Sequence, residues 1–151
     1  MSDYEFTMSL RIRHPRVEPA EVTRRLGMEP QHSWCAGEQR RDAKGGALGG
    51  AYHESLWMCA LMAQPALASD RTGVETELLH TIGVLRRSLD FLQSLRDSGG
   101  VAELHVSIFA RQEFRLELPA DLLASLSQMG IAMALEVNPH SAPSVRMPVQ
   151  Q

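Results

Sequence analysis

A chain of 151 residues, 44% hydrophobic and 22% charged, suits one globular domain that buries roughly 70% of its unfolded surface. Its formal net charge of −3 disfavours a dedicated nucleic-acid binder, which carries a strong basic excess. Lys44 is the only lysine and every other basic residue is arginine, a bias that fits a GC-rich bacterial genome better than a functional choice.

The opening residues, MSDYEFTMSL, are acidic at the start and then mixed, so they lack the basic and apolar regions of a signal peptide. No apolar run reaches the roughly 18 residues that span a bilayer. Cys35 and Cys59 are the only cysteines and are expected as free thiols in a reducing compartment. A cytoplasmic protein without membrane contact is the expectation.

From Tyr4 to Arg13, apolar Tyr4, Phe6, Met8, Leu10 and Ile12 alternate with polar residues. That period of two predicts a strand with one face in the core, of the kind most often found in antiparallel sheets. "EPAEVTRRLG" predicts a short helix, with Pro19 in its first turn, Val22 and Leu26 on one face and Gly27 as its C-terminal cap. "PQHSWCAGEQRR", Pro30 to Arg41, follows and concentrates unusual side chains. "DAKGGALGGA" reads as a flexible loop. "YHESLWMCALM", apolar on both faces, predicts an interior strand, and "AQPALASDRTG" a loop.

From Val74, the spacing of Leu78, Ile82, Leu85, Leu89 and Leu92 gives a helical stripe closed by Ser98–Gly100. Ser88 is a candidate cap for a second helix, so a break is expected near Arg87. "VAELHVSIFA" alternates as a strand, and "EFRLEL" reads as its hairpin partner. "PADLLASLSQMG" predicts a short helix capped by Gly130, and "IAMALEV" the last strand. The tail "NPHSAPSVRMPVQQ" is proline-rich and expected to fray.

The order is β-α-β-α(α)-β-β-α-β. One apolar face per strand and one stripe per helix predict an α+β two-layer sandwich, a mostly antiparallel sheet with helices on one face. Residues 1–138 form a single domain and 139–151 a flexible tail. The uncovered face is expected to carry Glu5, Ser9, Arg11, Glu103, His105, Ser107 and Glu136.

A helix ending in "LGMEP", the tryptophan and glycine of "SWCAG", "SLW" opening a strand, the paired helices and the late "MGIAMALEV" occur in an order that resembles a bacterial family. It is the family of domains of unknown function numbered four-two-seven-nine, and the resemblance covers roughly residues 4 to 138. Members usually end the last strand with an aspartate, a residue, then a tyrosine; here Glu136, Val137 and Asn138 stand in those places. The resemblance implies a compact bacterial domain and assigns no activity, cofactor or catalytic residue.

The residue types of the Pro30–Arg41 segment and its neighbours suit three chemistries. His32, Cys35, His53 and Cys59 are residue types that zinc prefers, but His53 and Cys59, six residues apart on an extended strand, stand roughly 20 Å apart; no metal site is assigned. Cys35, with His32 and two arginines nearby, has the surroundings that favour a thiolate, but no orienting third group is found, so no catalytic residue is assigned. Arg40, Arg41 and Lys44 beside flexible glycines form a candidate anion site with His32 and Cys35, although the order is not that of a P-loop. Trp34 is read as an anchor at the edge of an aromatic-poor core, against Trp57.

The expected function is a non-catalytic binding or interaction module for a protein partner or for itself, working through the open sheet face or the Arg40–Lys44 loop, with no cofactor. The alternative is a ligand- or phosphate-binding domain or small enzyme with a pocket beside residues 30–44.

Overall fold

Strand β1, Glu5–His14, is buried at every second position, and the sheet assembles around it. The computed structural model describes residues 4–62, 64–67 and 73–139. On one side β1 pairs antiparallel with β5, Ser55–Ala60, setting Leu10 opposite Cys59 and Ile12 opposite Trp57. On the other it pairs antiparallel with β7, Val101–Phe109, setting Met8 opposite Val106 and Leu10 opposite Leu104. Strand β2, His32–Trp34, lies antiparallel to β5 and ends the sheet on that side. Strand β8, Ile131–Asn138, runs parallel to β7 and ends it on the other. The order is β2-β5-β1-β7-β8, with the two-residue β6, Ala66–Leu67, beside the start of β1.

Among the described residues, helices cover one face of the sheet. In α1, Pro19–Leu26, Pro19 occupies the first turn, where its missing N–H costs nothing. Gly27 closes the helix at φ 69°, its N–H bound to the Thr23 carbonyl. The helix α2, Val74–Leu85, passes through a 3-10 turn at Arg86–Ser88 into α3, Leu89–Asp97, so the expected break is present. Ser88 holds the N-cap position of α3 as expected but makes no side-chain cap bond; its hydroxyl donates instead to the Arg25 carbonyl at 3.4 Å. The helix α4, Ala120–Met129, ends at Gly130, φ 70°. Phe6, Leu10, Ile12, Trp57, Leu104 and Ile108 from the sheet meet Val22, Leu78, Leu85, Leu92, Leu122 and Met129 from the helices. Each such side chain contributes about 1.5–3 kcal/mol on burial. The fold is therefore α+β, a mostly antiparallel sheet under one helical layer.

Two local expectations are corrected. Glu113–Leu118 keeps the alternation of a strand, with Phe114, Leu116 and Leu118 packed on the core, but forms no ladder. β7 has β1 on one side and β8 on the other, so no slot remains for a hairpin partner. The segment is instead held by its side chains. The Phe114 ring lies 5.1 Å from that of Tyr4, and the Glu117 N–H donates to Glu75 at 3.2 Å. The glycine-rich stretch is not a simple loop either: Ala47–Ala51 forms β4, antiparallel to β3, Gln39–Arg41. Apart from Pro139, the expected C-terminal tail lies outside the described residues.

Candidate functional site: an aromatic cleft at the base of an exposed hairpin

After α1 the chain is laid against β5 by Gln31, whose N–H donates to the Met58 carbonyl at 2.8 Å. Its side-chain Oε1 accepts the Ala60 N–H at 2.7 Å. In the β2–β5 register Ser33 opposes Trp57 and Trp34 opposes Leu56. Alternation then sends Trp34 to the face opposite Trp57. Trp57 is buried under α1, its indole N–H donating to Thr23 Oγ1 at 3.0 Å. Trp34 is only partly buried. It stacks on Tyr52, 4.3 Å between centroids and 10° from parallel, and donates to the Glu54 carbonyl at 3.1 Å. The expected Trp34–Trp57 contact is thus corrected, and Tyr52 is the partner that the sequence reading missed.

Just beyond Trp34, Gly37 turns the chain at φ 89°. Gly37 donates to the Tyr52 carbonyl and Tyr52 to the Glu38 carbonyl, both at 2.9 Å. These bonds close the base of the β3–β4 hairpin. Every residue of both strands is exposed. At the tip, the Asp42 carboxylate accepts the Lys44 and Gly46 N–H groups at 2.9 and 2.8 Å. The Arg41 guanidinium donates to the Gly45 carbonyl at 3.1 Å. Between hairpin and sheet edge opens a cleft of about 680 Å³ lined by His32, Trp34, Gln39, Arg41, Asp42 and Tyr52. A neighbouring cleft of about 550 Å³ includes Cys35, Pro19 and Gly37.

The five candidate ligand residues do not converge. His32 and Arg41 line the first cleft and Cys35 the second. Arg40 lines neither cleft, while Lys44 sits in the hairpin turn. The glycine-rich turn already spends N–H groups on Asp42, the place an outside anion would take. The Cys35 thiol meets the Ser55 hydroxyl at 3.8 Å and the Val17 carbonyl at 4.0 Å, and neither is a general base for a nucleophile. Among the described residues, no three His, Cys, Asp or Glu side chains are grouped to hold a metal ion.

The face without helices carries the polar set expected there. Arg11 opposes Glu103 and Ser9 opposes His105 on β7, and Ser107 opposes Glu136 on β8. These side chains shield one another, so most are half-buried rather than open. His105 Nε2 lies 3.3 Å from the Glu136 carboxylate. Burial lowers the His105 pKa and the Arg11 charge adds to this, while Glu103 and Glu136 oppose it less strongly. Arg11 Nε is buried without a hydrogen-bond partner.

The family model for DUF4279, a domain of unknown function, matches residues 4–140. The chain belongs to this family. The match runs from β1 through β8, so the family's domain takes in the whole sheet, the hairpin and the cleft at its base. No curated protein and no solved structure matches the chain. No helix among the described residues is long and apolar enough to cross a membrane.

Proposed function

We propose that the domain is a non-catalytic interaction module that receives a protein partner in the cleft between Trp34, Tyr52 and the β3–β4 hairpin. The observation that carries this reading is the hairpin itself. A two-stranded hairpin with no buried face is marginal in water, and this one contributes nothing to the core. Its base is nevertheless closed by two backbone hydrogen bonds and an aromatic stack. Such a projection on a rigid scaffold is where binding residues concentrate. The stacked rings supply apolar area at low entropic cost, and Gln39, Arg41, Asp42 and His32 supply polar contacts around them, the composition that suits recognition of a protein segment.

The cleft volume also falls within the range of small-molecule sites, which favours a ligand-binding domain as the second reading. A photo-reactive residue at Gln39 or Leu48, with Arg87 on the far turn as control, separates the two in cells. The interaction reading expects a discrete protein adduct at the hairpin positions that disappears in Trp34→Ala and is absent from the control. Equal labelling at all three positions would sink it. Native mass spectrometry of freshly purified protein tests the second reading, which expects an added small-molecule mass.

A further inference from the structure

We infer that the outer edge of β8 is an interface between two copies of this chain, paired antiparallel strand to strand. β8 runs eight residues, Ile131–Asn138, and among the described residues it pairs with β7 alone. Its register with β7 is continuous, without a bulge. Exposed sheet edges are ordinarily protected by shortness, lysine, proline or a bulge, and β8 has none of these. The opposite edge, β2, is only three residues long, so it is a poor template. The one charge on β8, Glu136, leans inward to His105 at 3.3 Å, which takes it off the pairing edge.

The side chains on the helix-side face of this edge are apolar and uncovered. Leu135 is 46% and Val137 57% exposed, although both alternate in step with buried Ile131. A strand on a two-fold axis must be compatible with itself, and this one is. With the axis at Leu135, the leucine meets its own copy and Met133 meets Val137 of the second copy. Glu136 then lies opposite Ala134, and Asn138 opposite Ala132. No charge faces a like charge, the arrangement that would penalise pairing. Two copies would form one continuous sheet with an apolar seam on the helix side.

This surface lies at the opposite edge of the sheet from the hairpin cleft, so the test of one leaves the other standing. The experiment is sedimentation of the full chain as wild type and as Leu135→Lys, with circular dichroism melting on both. The expected result is a doubled mass at micromolar concentration and a melting temperature that rises with concentration for wild type, and for the variant a folded monomer that melts cooperatively at a temperature independent of concentration. In a Cys35→Ser background, Leu135→Cys is expected to cross-link two copies on mild oxidation, whereas Leu79→Cys on α2 is not. A wild-type chain that stays monomeric at about 100 μM, a concentration matching a binding free energy of only about −5.5 kcal/mol, overturns the inference. So does a dimer that survives Leu135→Lys, or one that forms only after removal of residues 140–151, which would make the chain's own terminus the occupant of the edge.

Discussion

Trp34 and Tyr52 lie ring on ring, 4.3 Å apart and 10° from parallel, at the point where the hairpin leaves the sheet. One residue comes from the last position of β2 and the other from just beyond β4, so the stack ties the two ends of the projecting segment together. Because Trp34 is partly exposed, Trp34→Ala is expected to cost about 1–2 kcal/mol, short of the roughly 3–5 kcal/mol of a fully buried tryptophan such as Trp57. A double-mutant cycle with Tyr52→Ala should return a coupling of about 0.5–1.5 kcal/mol. Urea unfolding of the four proteins measures both, and zero coupling would mean that the stack does not hold the hairpin.

Removing the hairpin should leave the domain intact. Glu38 and Tyr52 already share a backbone hydrogen bond, so replacing residues 39–51 by Asn-Gly joins them through a two-residue turn of a favoured kind. The expected change in stability is within about 0.5 kcal/mol, as for surface changes that touch no buried group. A large loss in chemical denaturation would show that β3 and β4 support the fold.

His14 makes stability depend on pH. It is 5% exposed; its Nδ1 accepts the Arg16 and Val17 N–H groups at 3.0 and 2.9 Å, and its Nε2 faces the Ser98 hydroxyl at 2.8 Å. A ring that accepts at Nδ1 is neutral. Burial lowers its pKa, and the Arg16 charge adds to this. The unfolded chain then binds more protons in this window than the folded one. Stability is therefore full above about pH 6.5, the ordinary histidine value, and falls as pH drops from there through the lowered folded value. His105, shifted the same way, contributes in the same direction. His14→Ala should cost about 1–3 kcal/mol by removing the acceptor of two part-buried N–H groups, and should flatten the pH dependence. An unchanged slope in denaturation midpoints against pH would refute the assignment.

Two glycines predict opposite outcomes for the same substitution. A Cβ on Gly100 would come within 2.7 Å of the Leu95 carbonyl oxygen and 2.8 Å of the His14 ring, so Gly100→Ala should destabilise by about 1–3 kcal/mol. A Cβ on Gly83, inside α2, would meet nothing within 4 Å. Gly83→Ala should therefore stabilise by about 0.5–1 kcal/mol through helix propensity and a restricted unfolded chain. Thermal melts of the two variants check the pair.

The layer arrangement was legible because its signals are periodic. Tyr4–Arg13 alternates without interruption, and the leucine and isoleucine spacing from Val74 repeats on one helical face. Glu113–Leu118 misled because alternation reports only which side chains are buried; strand pairing depends on a free neighbour, and β8 had taken that place. The β3–β4 hairpin was hidden by its glycines, although Asp42 followed by Gly45 and Gly46 between two short segments is a turn signal. Of the cleft, His32, Trp34 and Arg41 were singled out by residue type. Tyr52 was not, because its role depends on a stack across the hairpin base that no spacing rule describes. His14 left no signal, since its acceptors and donors are brought together by the end of β1 and the end of α3.

The central place of β1 has a consequence for how the protein is made. β1 leaves the ribosome before the strands it pairs with, so Leu10 must wait for Cys59 on one side and Leu104 on the other. Pairings so distant in sequence are slow to form, because the intervening chain must be closed before they give any return. During translation the nascent chain therefore carries an alternating apolar segment with nothing to cover it, the kind of exposure that makes unfinished chains aggregate. Any fragment that stops short of β7 keeps that segment bare on one flank, so the yield of folded protein should be decided late, as Phe109 and then β8 emerge.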